Sequence, residues 1–272
     1  MPEIVEVETI KNDLIRSNKI LGHKIVNSTI LSKSIVDKSA FKDFHKIKNK
    51  TIKRIDRIGK YLIFELDDLF MIVHLKMTGH IFLKDKNYEL QKHDHLVINL
   101  DNGKELVYND TRKFGKFYVK KDLSFLDVLG VDVLSKEFKF QDFYEILKTK
   151  RKKIKTLLMD QRLVAGLGNI YVDEVLFHAK IHPLKQALSL TCLEAKKLYL
   201  SIIAVIKKAL KYRGTSLGKN KSNYSSIYED FGFNQNHLLV HGKDKCPKCR
   251  RKVVKLKING RTSYFCRHCQ IA

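Results

Sequence analysis

The sequence predicts an α+β protein: an amphipathic N-terminal helix flanking a β-sandwich, then a helical region, then a metal-clamped hairpin. Three observations lead there. Apolar and β-branched residues alternate through much of the first half of the 272-residue chain. The period becomes helical from about Phe138. Two Cys-x-x-Cys pairs, Cys246/Cys249 and Cys266/Cys269, stand within the last 27 residues. Thiolates at that spacing close a tetrahedral shell, predicting one structural zinc ion.

Val7, Ile10 and Leu14, set among acids and bases, predict a helix over the first sixteen or so residues. Strands follow at 60–66, 70–75, 95–100 and 104–108, the last two joined through Asp101-Asn102-Gly103, and together they suggest a sandwich of about 130 residues. Phe143, Ile146 and Leu147 then mark a helical face, and a basic stretch at 148–155 leads into Leu157, Leu158 and Met159. Segments 164–179 and 193–212 also read as helices. A shift in composition across 132–140 marks a boundary, and a Gly/Ser/Asn/Lys-rich loop at 214–223 reads as a mobile connection to the ribbon. Between the thiol pairs, Val254, Leu256 and Ile258 alternate with Lys255 and Lys257. Asn259-Gly260 supplies the turn, and Arg261 follows it. The segment from Cys246 to Cys269 carries eight Lys or Arg and no acid, so the hairpin holds out a cationic tip suited to polyphosphate.

The formal net charge of +24 makes nucleic acid the leading partner, with affinity that falls as salt rises. Lysine outnumbers arginine 42 to 11, a surplus that composition alone can produce, so individual arginines are the more informative cations. No apolar run reaches membrane-spanning length, and the acidic third residue argues against a signal peptide. These features predict a soluble, cytoplasmic protein without membrane association. With four cysteines assigned to metal, Cys192 in a leucine-rich helical pattern reads as a buried, inert thiol.

Pro2-Glu3 is the second informative feature. A small residue after Met1 permits removal of the initiator, which leaves a secondary amine whose reference pKa is about 7.7–8.0. Such an amine attacking an aldehyde-level carbon gives an iminium ion that acidifies a neighbouring C–H. Glu3 stands ready as general acid or base beside it, with Glu6 one turn further on. Proline and acids also suit any helix start, so the tripeptide is weak by itself.

The opening Met1-Pro-Glu-Ile-Val-Glu-Val-Glu-Thr9 resembles that of the formamidopyrimidine-DNA glycosylases, bacterial repair enzymes that remove oxidised purines and cut the strand. Further matches span the chain: Gly59-Lys-Tyr-Leu62, His74-Leu-Lys-Met-Thr-Gly79, Lys92-His-Asp-His95, Asp110-Thr-Arg-Lys-Phe-Gly115, Leu158-Met-Asp-Gln161, Val164-Ala-Gly-Leu-Gly-Asn-Ile-Tyr171, Ile181-His-Pro183, Gly214-Thr-Ser-Leu217 and Phe265-Cys-Arg-His-Cys-Gln270. The resemblance implies a catalytic β-sandwich domain over 1–132, a linker over 133–150, a helix-two-turn-helix DNA-binding domain with a lesion-capping loop over 151–235, and a zinc finger over 236–272. It implies a monomeric glycosylase and abasic-site lyase acting on double-stranded DNA with oxidised bases. Pro2 is then the nucleophile, Glu3 the proton donor for sugar-ring opening, and Lys60 the donor for β-elimination. Arg261 holds the lesion's phosphate and assists δ-elimination. Met77, Arg112 and Phe114 fill the gap left by an extruded nucleotide, Asn169 contacts phosphate, and His93 and Lys150 contact DNA. Taken alone, Met77 and Phe114 read as core residues and Arg112 as a surface cation.

The sequence departs from the family pattern in places. Val5 replaces a proline, Arg250 stands where the first knuckle usually ends in glycine, and segment 218–243 has Asn234 for an aromatic and His241-Gly242 for Tyr-Gly. That segment is expected to order only around an extruded base, which leaves 8-oxoguanine preference less secure than the chemistry. Two alternatives stand beside this reading: an endonuclease VIII-like enzyme for oxidised pyrimidines, and a non-catalytic zinc-ribbon protein that binds nucleic acid.

Overall fold

Glu3 and Glu6 start the first helix. In the computed structural model, which describes residues 2–218 and 223–271, the Glu3 carboxylate accepts from the Glu6 backbone N–H, while Glu6 Oε2 accepts from the Glu3 N–H at 2.8 Å. This reciprocal cap satisfies two amides that a helix start leaves without partners. Helix α1 (Ile4–Arg16) then buries Val5, Val7, Ile10 and Leu14, and Thr9 donates its hydroxyl to the Val5 carbonyl. Val5, in place of the family's proline, is thus a core residue.

Strands β1 (Ile25–Ile30), β2 (Arg54–Ile58), β3 (Tyr61–Glu65), β4 (Phe70–His74), β5 (Gly79–Asp85), β6 (Asp94–Leu100), β7 (Lys104–Asp110) and β8 (Lys116–Lys120) follow. They form two four-stranded antiparallel sheets, ordered β1-β6-β7-β5 and β2-β3-β4-β8. Leu62, Phe64, Met71 and Val73 of one sheet share a core with Ile81, Leu96, Ile98, Leu106 and Tyr108 of the other and with the apolar stripe of α1. At about 1.5–3 kcal/mol for each large side chain fully buried, this cluster outweighs any single polar contact in the unit. The expected sandwich with its flanking helix is present.

The first compact unit is not confined to the N-terminal part of the chain. It comprises Met1–Asp127 together with Tyr212–Gln235, whereas Val128–Lys211 and Asn236–Ala272 form a second unit. Tyr224 and Ile227 join the sandwich core, and the Ile227 carbonyl accepts from the Leu83 N–H of edge strand β5 at 3.0 Å. Arg213 donates to Asp13 at 2.7 Å, and the Thr215 N–H donates to Glu6 Oε1 at 2.8 Å. Residues 212–235, expected with the helical domain, therefore pack with the sandwich. The described part of this segment is ordered by the core and needs no extruded base to fold it. The mobile connection expected at 214–223 falls partly on 219–222, outside the described residues.

In the second unit, strand β9 (Val131–Asp132) and helices α2 (Phe140–Thr149) and α3 (Ile154–Met159) precede strand β10 (Val164–Ala165), helix α4 (Asn169–Ala179) and helix α5 (Cys192–Lys211). Residues 133–150, expected as a linker, thus carry α2, with Phe143 and Leu147 buried. The helix expected over 164–179 begins only at Asn169. Val164 and Ala165 instead pair in parallel with β9, and Gly166 at φ +100° breaks the chain before α4. Two turns thus separate α3 from α4. Helix α5 buries Ala195, Leu198, Ile202, Ile206 and Ala209. That stripe starts one turn in, so Cys192, expected to be buried, is exposed at the helix end. The ribbon hairpin pairs β11 (Val254–Ile258) with β12 (Arg261–Phe265), with Ile258 opposite Arg261. Asn259 and Gly260 lie at φ +46° and +76°, the two positive angles that a type I′ turn requires. Among the described residues, no helix is long and apolar enough to cross a membrane.

Candidate active site

The start of the chain is held from two sides. Pro2 and Glu3 are buried. The two Glu6 oxygens accept from the Glu3 N–H and the Thr215 N–H, each at 2.8 Å. Lys60 lies in the two-residue turn between β2 and β3 and is only 7% exposed. Arg57 ties this hairpin to α1 by donating to Glu8 Oε2 and to the Gly59 carbonyl, both at 2.8 Å. Burial pushes the Glu8 carboxyl up, but bonds from Lys11 and Arg57 outweigh it and hold Glu8 below its ordinary range.

His74 packs edge-on against Tyr61, with ring centroids 4.6 Å apart, and its Nδ1 accepts from the Lys76 N–H at 3.0 Å. Burial, reinforced by the Lys76 and Lys60 charges, holds its pKa down to about 3. Lys60 therefore has a neutral imidazole for a neighbour, and the positive charge in this corner belongs to lysine.

Met77, Arg112 and Phe114 come together at the surface. Met77 follows β4 and Phe114 lies between β7 and β8; they are 40% and 47% exposed. The Arg112 guanidinium stands 4.5 Å above the Phe114 ring centroid, and its Nη1 donates to Met77 Sδ at 3.2 Å. Two large apolar side chains held in water by a cation are informative, because burial is the default for such residues. Their reading as core is corrected by this exposure. His93 precedes β6 and is half-buried, and its carbonyl accepts from the Asp110 N–H at 2.9 Å.

The other site residues belong to the second unit. In the basic stretch, Lys152 donates to Asp160 at 2.7 Å, and the buried Lys155 donates to Asp173 at 2.5 Å and to Asn169 Oδ1 at 2.8 Å. Lys150, Arg151 and Lys153 are exposed. Asn169 opens α4 and donates through Nδ2 to the Thr262 carbonyl at 2.8 Å. Arg261 is the exposed neighbour of Thr262, and it lines a groove of about 240 Å³ with Lys155, Thr156, Met159, Asp160, Ile258 and Asn259. A helix start, an asparagine and an arginine thus share one small region suited to an anion.

Several residues that build these sites gave no separate signal in the sequence. Gln161 accepts from the Gly166 N–H at 2.9 Å and donates to the Leu167 carbonyl at 2.8 Å, fixing the turn before Asn169. Glu174 accepts three backbone N–H groups, from Leu239, Val240 and His241, although burial pushes its carboxyl up. Asp173 accepts from His241 Nδ1 at 2.7 Å and from the Tyr264 N–H at 3.1 Å. These two acids join α4 to the ribbon. Gln161 ends the Leu158-Met-Asp-Gln161 motif, but neither hydrophobic period nor charge pattern marks a buried acceptor. Asn234, in place of the usual aromatic, is buried and donates to Thr215 Oγ1 at 2.9 Å.

The four ribbon thiols converge, with every ligand atom within 4.8 Å of the others. Cys246 and Cys269 Sγ are 3.7 Å apart, and Cys249 and Cys266 Sγ are 3.5 Å apart. A tetrahedral zinc ion with Zn–S bonds of about 2.3 Å needs sulfur atoms about 3.8 Å apart, so the set fits one structural ion and leaves no ligand position for water.

Residues 1–117 match the formamidopyrimidine-DNA glycosylase N-terminal domain, residues 129–221 the formamidopyrimidine-DNA glycosylase H2TH domain, and residues 243–271 the zinc finger found in FPG and IleRS. The formamidopyrimidine-DNA glycosylase of Lactobacillus delbrueckii subsp. bulgaricus is 38% identical over 277 residues, covering 99% of each chain. That of Streptococcus thermophilus is 37% identical over 277 residues, with 99% of each chain covered. A crystal structure of a Lactococcus lactis FPG variant in complex with Fapy-dG-containing DNA superposes with a TM-score of 0.89 at 39% identity, covering 99% of both chains. The Lactococcus lactis Fpg complex with abasic-site-containing DNA also gives 0.89, at 38% identity and 99% coverage of both. Matched in three successive portions and over its full length, the chain belongs to the formamidopyrimidine-DNA glycosylase family.

Proposed function

We propose that this chain is a DNA glycosylase and abasic-site lyase that removes oxidised purines, formamidopyrimidines and 8-oxoguanine, from duplex DNA. The observation that carries the purine assignment is the exposed group of Met77, Arg112 and Phe114, a wedge of two apolar side chains with a guanidinium able to hydrogen-bond an orphaned cytosine. A base must leave the stack before C1′ can be attacked, and such a wedge fills the gap.

Once Met1 is removed, the Pro2 nitrogen is a secondary amine. Its lone pair forms a bond to C1′ as the base departs with a proton, and the sugar ring opens with Glu3 supplying a proton to the ring oxygen. The resulting iminium acidifies C2′. Loss of a C2′ proton breaks the C3′–O bond and expels phosphate, a step Lys60 assists as proton donor. Arg261 and Asn169 hold the lesion's phosphate, and Arg261 assists the second elimination at C5′. Glu6 holds Glu3 and Thr215 in place, and His93 and Lys150 contact the DNA. The protein acts as a monomer in the cytoplasm.

Borohydride reduction in the presence of abasic DNA, followed by peptide mapping, is the direct test and should locate the adduct on Pro2. An adduct on a lysine, or strand cleavage by protein that retains Met1, would sink the assignment. Single-turnover excision of formamidopyrimidine, 8-oxoguanine and thymine glycol decides the lesion class. Fastest excision of thymine glycol would select the endonuclease VIII-like alternative.

A further inference from the structure

Two turns that carry proposed DNA-contacting residues converge on one buried side chain, and a third, that of His93, meets its main chain. Asp110, at the end of β7, is fully buried. Its Oδ1 accepts from Thr78 Oγ1 at 2.6 Å and from the Arg112 N–H at 3.1 Å. Its Oδ2 accepts from the Gly115 N–H at 2.9 Å and from the Tyr108 hydroxyl at 3.0 Å. Its main chain continues the pattern: the N–H donates to the His93 carbonyl at 2.9 Å, and the carbonyl accepts from His95 Nε2 at 2.9 Å.

Thr78 is the neighbour of Met77, and Gly115 is the neighbour of Phe114. We propose that Asp110 is a positioning residue that locks Met77, Arg112 and Phe114 into one wedge and thereby sets discrimination of the base opposite the lesion. The inference rests on the proposed glycosylase function and adds to it a residue that touches neither the base nor the reacting sugar.

Four donors point at the two oxygens, and only an ionised carboxylate offers acceptors to all of them. Burial pushes the carboxyl up, but the bonds from Thr78, Gly115, Arg112 and Tyr108 outweigh it and keep Asp110 below its ordinary range. The turns have little room to relax if the bonds are lost. A Cβ on Gly115 would lie 1.6 Å from the Tyr108 hydroxyl oxygen, so the backbone there is pressed against the ring. Lys76 and Lys113, both at φ +55°, hold left-handed conformations that cost roughly 1 kcal/mol each and persist only while their surroundings enforce them.

In Asp110→Asn, an amide N–H₂ must face at least one of these donors. The two turns then lose their common anchor, and the guanidinium is no longer fixed between Phe114 and Met77. Excision from duplex DNA carrying 8-oxoguanine opposite cytosine should fall about tenfold or more, the cost of disturbing hydrogen bonds to a charged acceptor. The cytosine-to-adenine preference should collapse towards unity. Borohydride trapping on single-stranded abasic DNA has no orphaned base to read and should stay within about twofold of wild type, a readout that general loss of structure would not spare.

If Asp110→Asn does not fold, Thr78→Val removes one of the four bonds and should give about a threefold loss in the same direction. A wild-type opposite-base ratio in the folded variant, or trapping lost in step with excision, overturns the inference. A wild-type protein that neither excises nor traps overturns the functional reading itself, so the two failures are distinguishable.

Discussion

His74 shows how one half-buried side chain sets a condition on the whole first unit. A histidine of ordinary pKa 6.5 in the unfolded chain is held down to about 3 in the folded one, chiefly by burial. Between those values the unfolded state binds the extra proton, so the stability His74 confers is complete above about pH 6.5 and is lost progressively as pH falls towards 3. His74→Gln keeps an acceptor for the Lys76 N–H and removes the titration. Urea midpoints measured from pH 7 to pH 4 should therefore fall less steeply in the variant; parallel slopes in the two proteins would exclude this origin. The same residue illustrates what the sequence conceals. His74 sits in a recognisable motif, and its strand was legible from β-branched alternation, yet its neutrality depends on Tyr61, Lys76 and Lys60 closing around it. Pro2, Glu3 and the four cysteines could be singled out because their chemistry is local. Asp110 could not, because its role consists of donors contributed by other turns.

Among the elements, the ribbon was the most legible, since spacing, alternation and Asn259-Gly260 all act over a few residues. Its one irregular position has an energetic meaning. Arg250 lies at φ +63°, where the family usually has glycine, and its N–H donates to the Cys246 carbonyl at 2.9 Å. A side chain in that conformation costs roughly 1–2 kcal/mol, of which the greater freedom of unfolded glycine returns roughly 0.5–1 kcal/mol. Arg250→Gly should therefore tighten zinc binding by several-fold, because metal affinity and ribbon folding are one equilibrium. Competition with a chromogenic chelator measures it, and equal or weaker affinity in the variant would contradict the strain argument. The helix at 164–179 was less legible for a different reason. A helix buried over nearly all of its surface has no broad polar face to reveal its period, and here the apolar run conceals a strand and two turns before Asn169.

For the whole molecule, charge and family pattern were readable while the assembly of the first unit was not. Composition separates an early sheet region from a later helical one, but contacts of Thr215, Tyr224 and Ile227 place the return segment with the sandwich. A fragment ending at residue 127 therefore leaves Glu6 without its Thr215 donor and β5 without its Ile227 partner. It should lack a cooperative urea transition by circular dichroism, whereas the full chain shows one; a fragment midpoint equal to that of the full chain would refute this. The closed edge of β5 also has a history in time. At about 5–20 residues per second, the ribosome delivers the return segment roughly 5–20 s after the last strand of the sandwich. For that interval each nascent chain presents an open strand to its neighbours on the same message, so a segment built late also shields the part built first from its own siblings.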